Sequence, residues 1–189
     1  MSTDNAENLF FEPFFNFSIT KPSTWDFLPP AWSPVAQMKE NPVPHEIALR
    51  ANLPFVCIMQ SHDSPVRPYP TVQITARPTA GIPGDEEAQG LLDKTVELMA
   101  EHYQDFELLE ASIDEVVAGY RTSLIRSRAV VFGGEDEDIE MGIISRAHVI
   151  FSPGTAFRLG MTSSDDPDYY RESDFQQMRD SIEIGLSVQ

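Results

Sequence analysis

Cysteine is nearly missing from this 189-residue chain: Cys57 stands alone, so no disulfide can form within it. Its setting, Phe55-Val56-Cys57-Ile58-Met59, reads as a buried strand, which makes the thiol a core group and not a nucleophile. Positive charge is scarce as well. Thirteen Lys and Arg face thirty Asp and Glu, a formal net charge of -17. Such a chain repels a nucleic-acid backbone and an anionic membrane surface. The acidity is read first as a solubility feature, and it permits a basic partner. No apolar run approaches the roughly 18 to 20 residues of a membrane-spanning helix. Met1 to Asn8 carries no basic segment ahead of an apolar one, so no export signal is expected. The expectation is a soluble, cytoplasmic protein with neither nucleic acid nor membrane insertion among its interactions.

The motifs of common chemistries are missing too. There is no Gly-x-Ser-x-Gly elbow, no phosphate-binding glycine loop and no His-Glu-x-x-His. His45, His62, His102 and His148 are far apart and lack metal-ligand spacing. Glu135-Asp136-Glu137-Asp138 lacks the alternating ligands and internal glycine of a calcium loop; it reads as a solvated hairpin loop. We therefore expect no catalytic residue, no metal and no cofactor, and the chain is not expected to be an enzyme.

What is present is a regular succession of elements. With 41% hydrophobic residues the chain can bury one core, assigned to a single domain over residues 13–189. A flexible lead is expected over residues 1–12, in which Leu9-Phe10-Phe11 can dock on the domain. Phe15, Phe17 and Ile19 alternate with polar residues, the period of a half-buried strand. Trp25 and Phe27 return aromatic surface to the core. Pro29, Pro30, Pro34, Pro42 and Pro44 predict an irregular loop. Extended segments then run over Ile47–Arg50, Leu53–Gln60 and, after Pro65, Pro68 and Pro70, over Thr71–Arg77. A helix is predicted after Pro83-Gly84, with Asp85 as N-cap and a buried stripe of Leu91, Leu92, Thr95, Val96, Met99, Tyr103 and Phe106. Ile113 to Met161 reads as an antiparallel meander, broken at Gly133 to Asp138 and at Ser152-Pro153-Gly154-Thr155. Asp166-Pro167 is read as the start of a closing helix whose buried face is Phe175, Met178 and Ile182, with Gly185 as its end.

The order of these motifs resembles the PsbP-like superfamily. The features that carry the likeness are Phe17-Ser18-Ile19-Thr20 running into Pro22 and Trp25, the amphipathic helix, the strand with Val117-Ala118-Gly119-Tyr120, the meander, and the last helix with Phe175, Met178, Ser181 and Ile182. That superfamily includes the photosystem extrinsic subunit, the Ran-binding nuclear import factor, the DcrB lipoproteins and the Eag-type secretion chaperones. The resemblance implies an α+β fold, an antiparallel sheet sandwiched by helices, and a role in binding other proteins. It transfers no site.

One local feature stands against the acidic background. Arg121, Arg126, Arg128, Arg146 and Arg158 all lie in the strand block, and His148 shares the period of Arg146. Two readings stand side by side. In one, the arginines pair across strands with residues such as Glu140. In the other, they form a partner-binding surface on the open part of the sheet. The resulting expectation is a non-catalytic protein-binding module, a chaperone or adaptor for a secreted effector in its most concrete form. A small-molecule binder or enzyme with a pocket between the sheet and the loop around Trp32 to Pro44 is the alternative. A homodimer through an exposed edge strand or sheet face is left open.

Overall fold

Alternating apolar residues in nearly every segment after Leu9 commit the chain to strands, and the computed structural model assembles them into two sheets. It describes residues 7–28, 55–65, 68–133 and 139–185. In chain order the elements are β1 (Leu9–Glu12), β2 (Phe17–Thr20), β3 (Trp25–Phe27), β4 (Phe55–Ser61), β5 (Thr71–Pro78), α1 (Asp85–His102), β6 (Gln104–Val117), β7 (Tyr120–Gly133), β8 (Ile139–Ser152), β9 (Thr155–Ser164), α2 (Glu172–Asp180) and β10 (Glu183–Ile184). The large sheet has seven strands in the order β3-β4-β5-β9-β8-β7-β6, and the small one has three, β1-β2-β10. Every pairing among the described strands is antiparallel. The expected α+β sandwich is therefore the fold that forms, with helices on both faces of a meander.

Register decides which face is which. Phe157, Leu159 and Met161 of β9 stand beside Ala76, Ile74 and Val72 of β5 and beside Ile150, His148 and Arg146 of β8. The apolar members of this face meet Phe17, Ile19, Trp25, Phe175, Met178 and Ile182 in the main core. Phe17 stacks on Phe157 at 5.1 Å between ring centroids, and Trp25 meets Phe175 edge-on at 5.9 Å. The indole nitrogen of Trp25 donates to Asp174 at 2.9 Å, so its polar end is satisfied while the rings are buried. On the other face Leu92 and Met99 of α1 pack with Ile125, joined by Val96, Phe106 and Ile113.

The structure departs from the sequence reading in several places. Leu9–Glu12, expected within the flexible lead, is a strand paired to β2, and Phe10 lies 5.9 Å from the Phe27 ring; this aromatic contact ties it down. The first helix ends at His102 with Tyr103 as its cap, not at Phe106. Asp105 takes a positive φ of 49° and turns the chain directly into β6, so Phe106 reaches the α1 core from a strand. Within that helix Leu91 is 40% exposed, and Gly84, not Asp85, is the N-cap. Finally, Asp166 does not begin the last helix. Its carboxylate accepts from the Asp168 amide at 3.0 Å, closing a local turn that competes with helix formation, and α2 starts six residues later. The closing helix, read as running to Gly185, stops at Asp180, so Ile182 is buried beyond its end and Glu183–Ile184 joins the small sheet as β10. The loop around Trp32 to Pro44, the segment Ile47–Arg50 and residues 134–138 of the acidic break lie outside the described residues.

Two tight turns set the meander. Gly154 has φ 79°, which glycine adopts without penalty. Between β6 and β7 the turn is Ala118-Gly119, with φ 53° and 80°, the doubly left-handed geometry that suits a two-residue hairpin. Alanine there carries a cost of about 1–2 kcal/mol. Ala118→Asn or Ala118→Gly is expected to stabilise the fold by about 1 kcal/mol. Calorimetry should show this as a Tm raised by roughly 2–4 °C.

Candidate functional site

The period of two puts Arg126 and Arg128 on one face of β7 and Arg146 and His148 on the same face of β8. Arg126 stands directly opposite Arg146, Leu124 opposite His148 and Arg128 opposite Ile144. This face lies under α2. Glu172, Phe175 and Arg179 follow one another at spacings of three and four, so they share one side of α2. Phe175 enters the core. Glu172 takes Arg146 at 2.7 Å, and Arg179 lies 3.9 Å from Glu115 of β6 and bonds Asp180 at 2.9 Å. An ion pair at each end thus fastens the helix across the sheet. The acid sits in its first turn and the base in its last, which also suits the helix dipole.

The arginines do not form the open surface expected of them. Arg146 keeps only 10% of its side chain exposed and His148 keeps none. Arg128 is half exposed and pairs across the strands with Glu107 at 3.2 Å, with Asp165 at 3.8 Å. The pairing reading is thus realised with Glu107, whereas Glu140 stands opposite Phe132. Arg121 and Arg158 fall on the other face. Arg121 donates to the carbonyl of Ile113 at 3.1 Å and pairs with Asp85 at the start of α1. Arg158 is exposed beside Val149 and Thr75. The six residues are therefore divided between two faces; four share the face that α2 covers, and of these Arg128 lies exposed at its margin.

Sequence reasoning missed Glu172, Tyr170, Arg179 and Glu115, which complete this cluster. The Glu172-Phe175-Arg179 spacing was the signal that could have found them. Tyr170 donates its hydroxyl to Glu172. Burial, together with that bond, raises the phenol above its ordinary value. Arg126 places its Nε in a buried position without a hydrogen-bond partner among the described residues, as does Arg146. Both ring nitrogens of His148 are in the same condition. Burial, and then the nearby charges of Arg146 and Arg179, push the His148 pKa down to about 4, with Glu172 acting the other way. At neutral pH the cluster thus holds a neutral imidazole. Cys57 is buried, and its thiol is pushed up to about 12, so it stays protonated. Among the described residues, no three His, Cys, Asp or Glu side chains converge as a metal site.

No protein-family model and no curated protein matches this chain. Solved structures do. The solution structure of the cyanobacterial PsbP, CyanoP, from Synechocystis sp. PCC 6803 superposes with a TM-score of 0.54 at 13% identity, over 98% of this chain and 97% of that one. The chain has a PsbP-like fold. LpqN of Mycobacterium tuberculosis, a protein involved in cell envelope biogenesis, matches with a TM-score of 0.51 at 14% identity, over 90% of this chain and 84% of that one. A crystal structure from Bacteroides thetaiotaomicron aligns with 96% of this chain at a TM-score of 0.46 and 9% identity; the PsbP-like chain spans 50% of its length. Within this PsbP-like fold the arginine–histidine cluster is an internal fastening between sheet and helix, and the alternative pocket by Trp32 to Pro44 lies outside the described residues.

The buried imidazole gives the fold a definite pH dependence. Its folded pKa of about 4 lies below the unfolded value of 6.5, so its neutral form contributes fully above pH 6.5. That contribution is lost as pH falls from 6.5 through 4, about 3 kcal/mol in all. Urea unfolding of wild type and His148→Leu across this range should show a wild-type decline that the variant lacks. In contrast to a surface role, Arg146→Glu is expected to lower stability by about 3–5 kcal/mol, since it sets an acid against Glu172 inside the cluster.

Proposed function

We propose that this chain is a non-catalytic protein-binding module, and more narrowly a cytoplasmic chaperone or adaptor for a secreted effector protein. The observation that carries the reading is the tip of the β7–β8 hairpin. β6 reaches only as far as Val130 of β7, and β9 only as far as Ile143 of β8. Past those points Val131–Gly133 and Ile139–Met141 pair with each other alone. On that two-stranded ribbon Phe132 is 50% and Ile139 59% exposed. The period of two puts Ile139 on one face with Val131 and Met141, and Phe132 on the other beside Glu140, so one side of the ribbon is apolar and the other mixed. A ribbon of this kind is marginal by itself, and apolar groups held out in water this way mark an interaction site. Exposed Glu140, opposite Phe132, sets a carboxylate beside the ring and favours a basic partner surface.

Affinity capture from native cell lysate with wild type and with the Phe132→Ser/Ile139→Ser variant tests this. Wild type should retain a specific protein that the variant loses at unchanged Tm. A wild-type eluate no different from that of bare beads would sink the reading.

A further inference from the structure

We propose that the outer edge of β6 accepts an extended segment of a partner protein as an added strand, a segment in which Lys or Arg alternates with apolar residues. The proposal rests on the protein-binding reading and adds to it the mode of binding and the partner's chemistry. β6 is the last strand of the large sheet, fourteen residues long, so the backbone groups along one side have no neighbouring strand among the described residues. Lys and Pro are the residues that most often blunt such an edge. Gln104–Val117 holds neither; its three register shifts against β7 bend the edge and leave Glu110–Ser112 and Glu115–Val117 as its longest regular stretches.

The edge opens on a groove of about 720 Å³ between β6 and α1. It is lined by Gly90, Val96, Leu108 and Ala111 and by the charged side chains of Asp93, Glu97 and Lys94, two acids to one base. Nothing lies within 4 Å of where a Cβ on Gly90 would stand, so the groove has room for a side chain from the incoming strand. A register shift between Leu108 and Glu110 leaves Leu108 43% and Leu109 37% exposed. Charge decides the occupant. β6 carries five carboxylates and no basic residue; Glu107, Asp114 and Glu115 are paired with Arg128, Arg121 and Arg179 of this chain, which leaves Asp105 and Glu110 for a partner. A second copy pairing edge to edge would set these carboxylates against their equivalents, a repulsive arrangement. A basic strand meets them with opposite charge, its main chain on the edge and alternate side chains in the groove.

The probe is a fluorescent decapeptide of alternating Lys and Val. Controls are its Glu–Val counterpart and a Lys–Val peptide N-methylated at alternate amides. Anisotropy is read at about 0.15 M ionic strength, where exposed charges are screened beyond roughly 8 Å. The Lys–Val peptide should bind and slow amide exchange in β6, and the Glu–Val peptide should not. N-methylation, and separately Asp93→Lys/Glu97→Lys, should weaken binding by about tenfold or more. The proposal is overturned if N-methylation has no effect, if Glu86→Lys/Glu87→Lys weakens binding equally, or if sedimentation shows a dimer that Leu108→Ser dissociates. Should the peptides fail while capture through Phe132 and Ile139 persists, the β6 mode falls and the protein-binding reading stands.

Discussion

The stacking of Phe17 on Phe157 joins the two sheets, and most of the tertiary arrangement depends on it. Phe157 sits on β9, central in the large sheet, and Phe17 on β2, central in the small one. With β2 held there, β1 and β10 add to its two sides. Because β10 follows α2 after only two residues, anchoring β10 also fixes the helix across the large sheet. Ser181 strengthens this junction: its hydroxyl accepts from the Thr20 amide at 2.9 Å. One aromatic contact thereby determines where α2 lies and what α2 covers.

What it covers is the unusual part of the electrostatics. An acidic chain concentrates arginines on one sheet face and then buries part of that face beneath a helix. Arg126 and Arg146 stand opposite each other, an unfavourable pairing for like charges, and Glu172 answers only Arg146 at close range. The helix therefore supplies a counter-charge as well as apolar cover. That double role explains why the arginines look like a surface in the sequence and act as a fastening in the fold.

The elements governed by local periodicity were legible. β2, β5 and the meander follow from alternation, the Pro153-Gly154 turn from its residue types, and Phe175 and Met178 from helical spacing. The order of motifs was enough to indicate the PsbP-like fold. What escaped depended on long-range contact. Leu9–Glu12 becomes a strand only because β2 is beside it, and two-residue β10 has no pattern of its own to read. Phe106 continued the helical spacing while belonging to a strand, because a single left-handed residue, Asp105, intervenes. At the site, sequence showed which arginines share a face of a strand. It could not show that a helix some twenty residues beyond β8 lies over them.

The pairing of β2 with β10 also bears on how the chain reaches this structure. β6 to β9 join through hairpins between consecutive strands, contacts that close early because little chain entropy is lost. Ser18 and Glu183 pair from nearly opposite ends of the sequence, and such closure is slow. The large sheet is thus expected to assemble while Arg146 and His148 are still hydrated, with α2 and the small sheet docking last. Folding then has a final step in which an imidazole must enter a dry, positively charged setting as a neutral ring. Acid would hold that ring charged and slow the step, so the rate of reaching the native state, and not its stability alone, is tied to the proton.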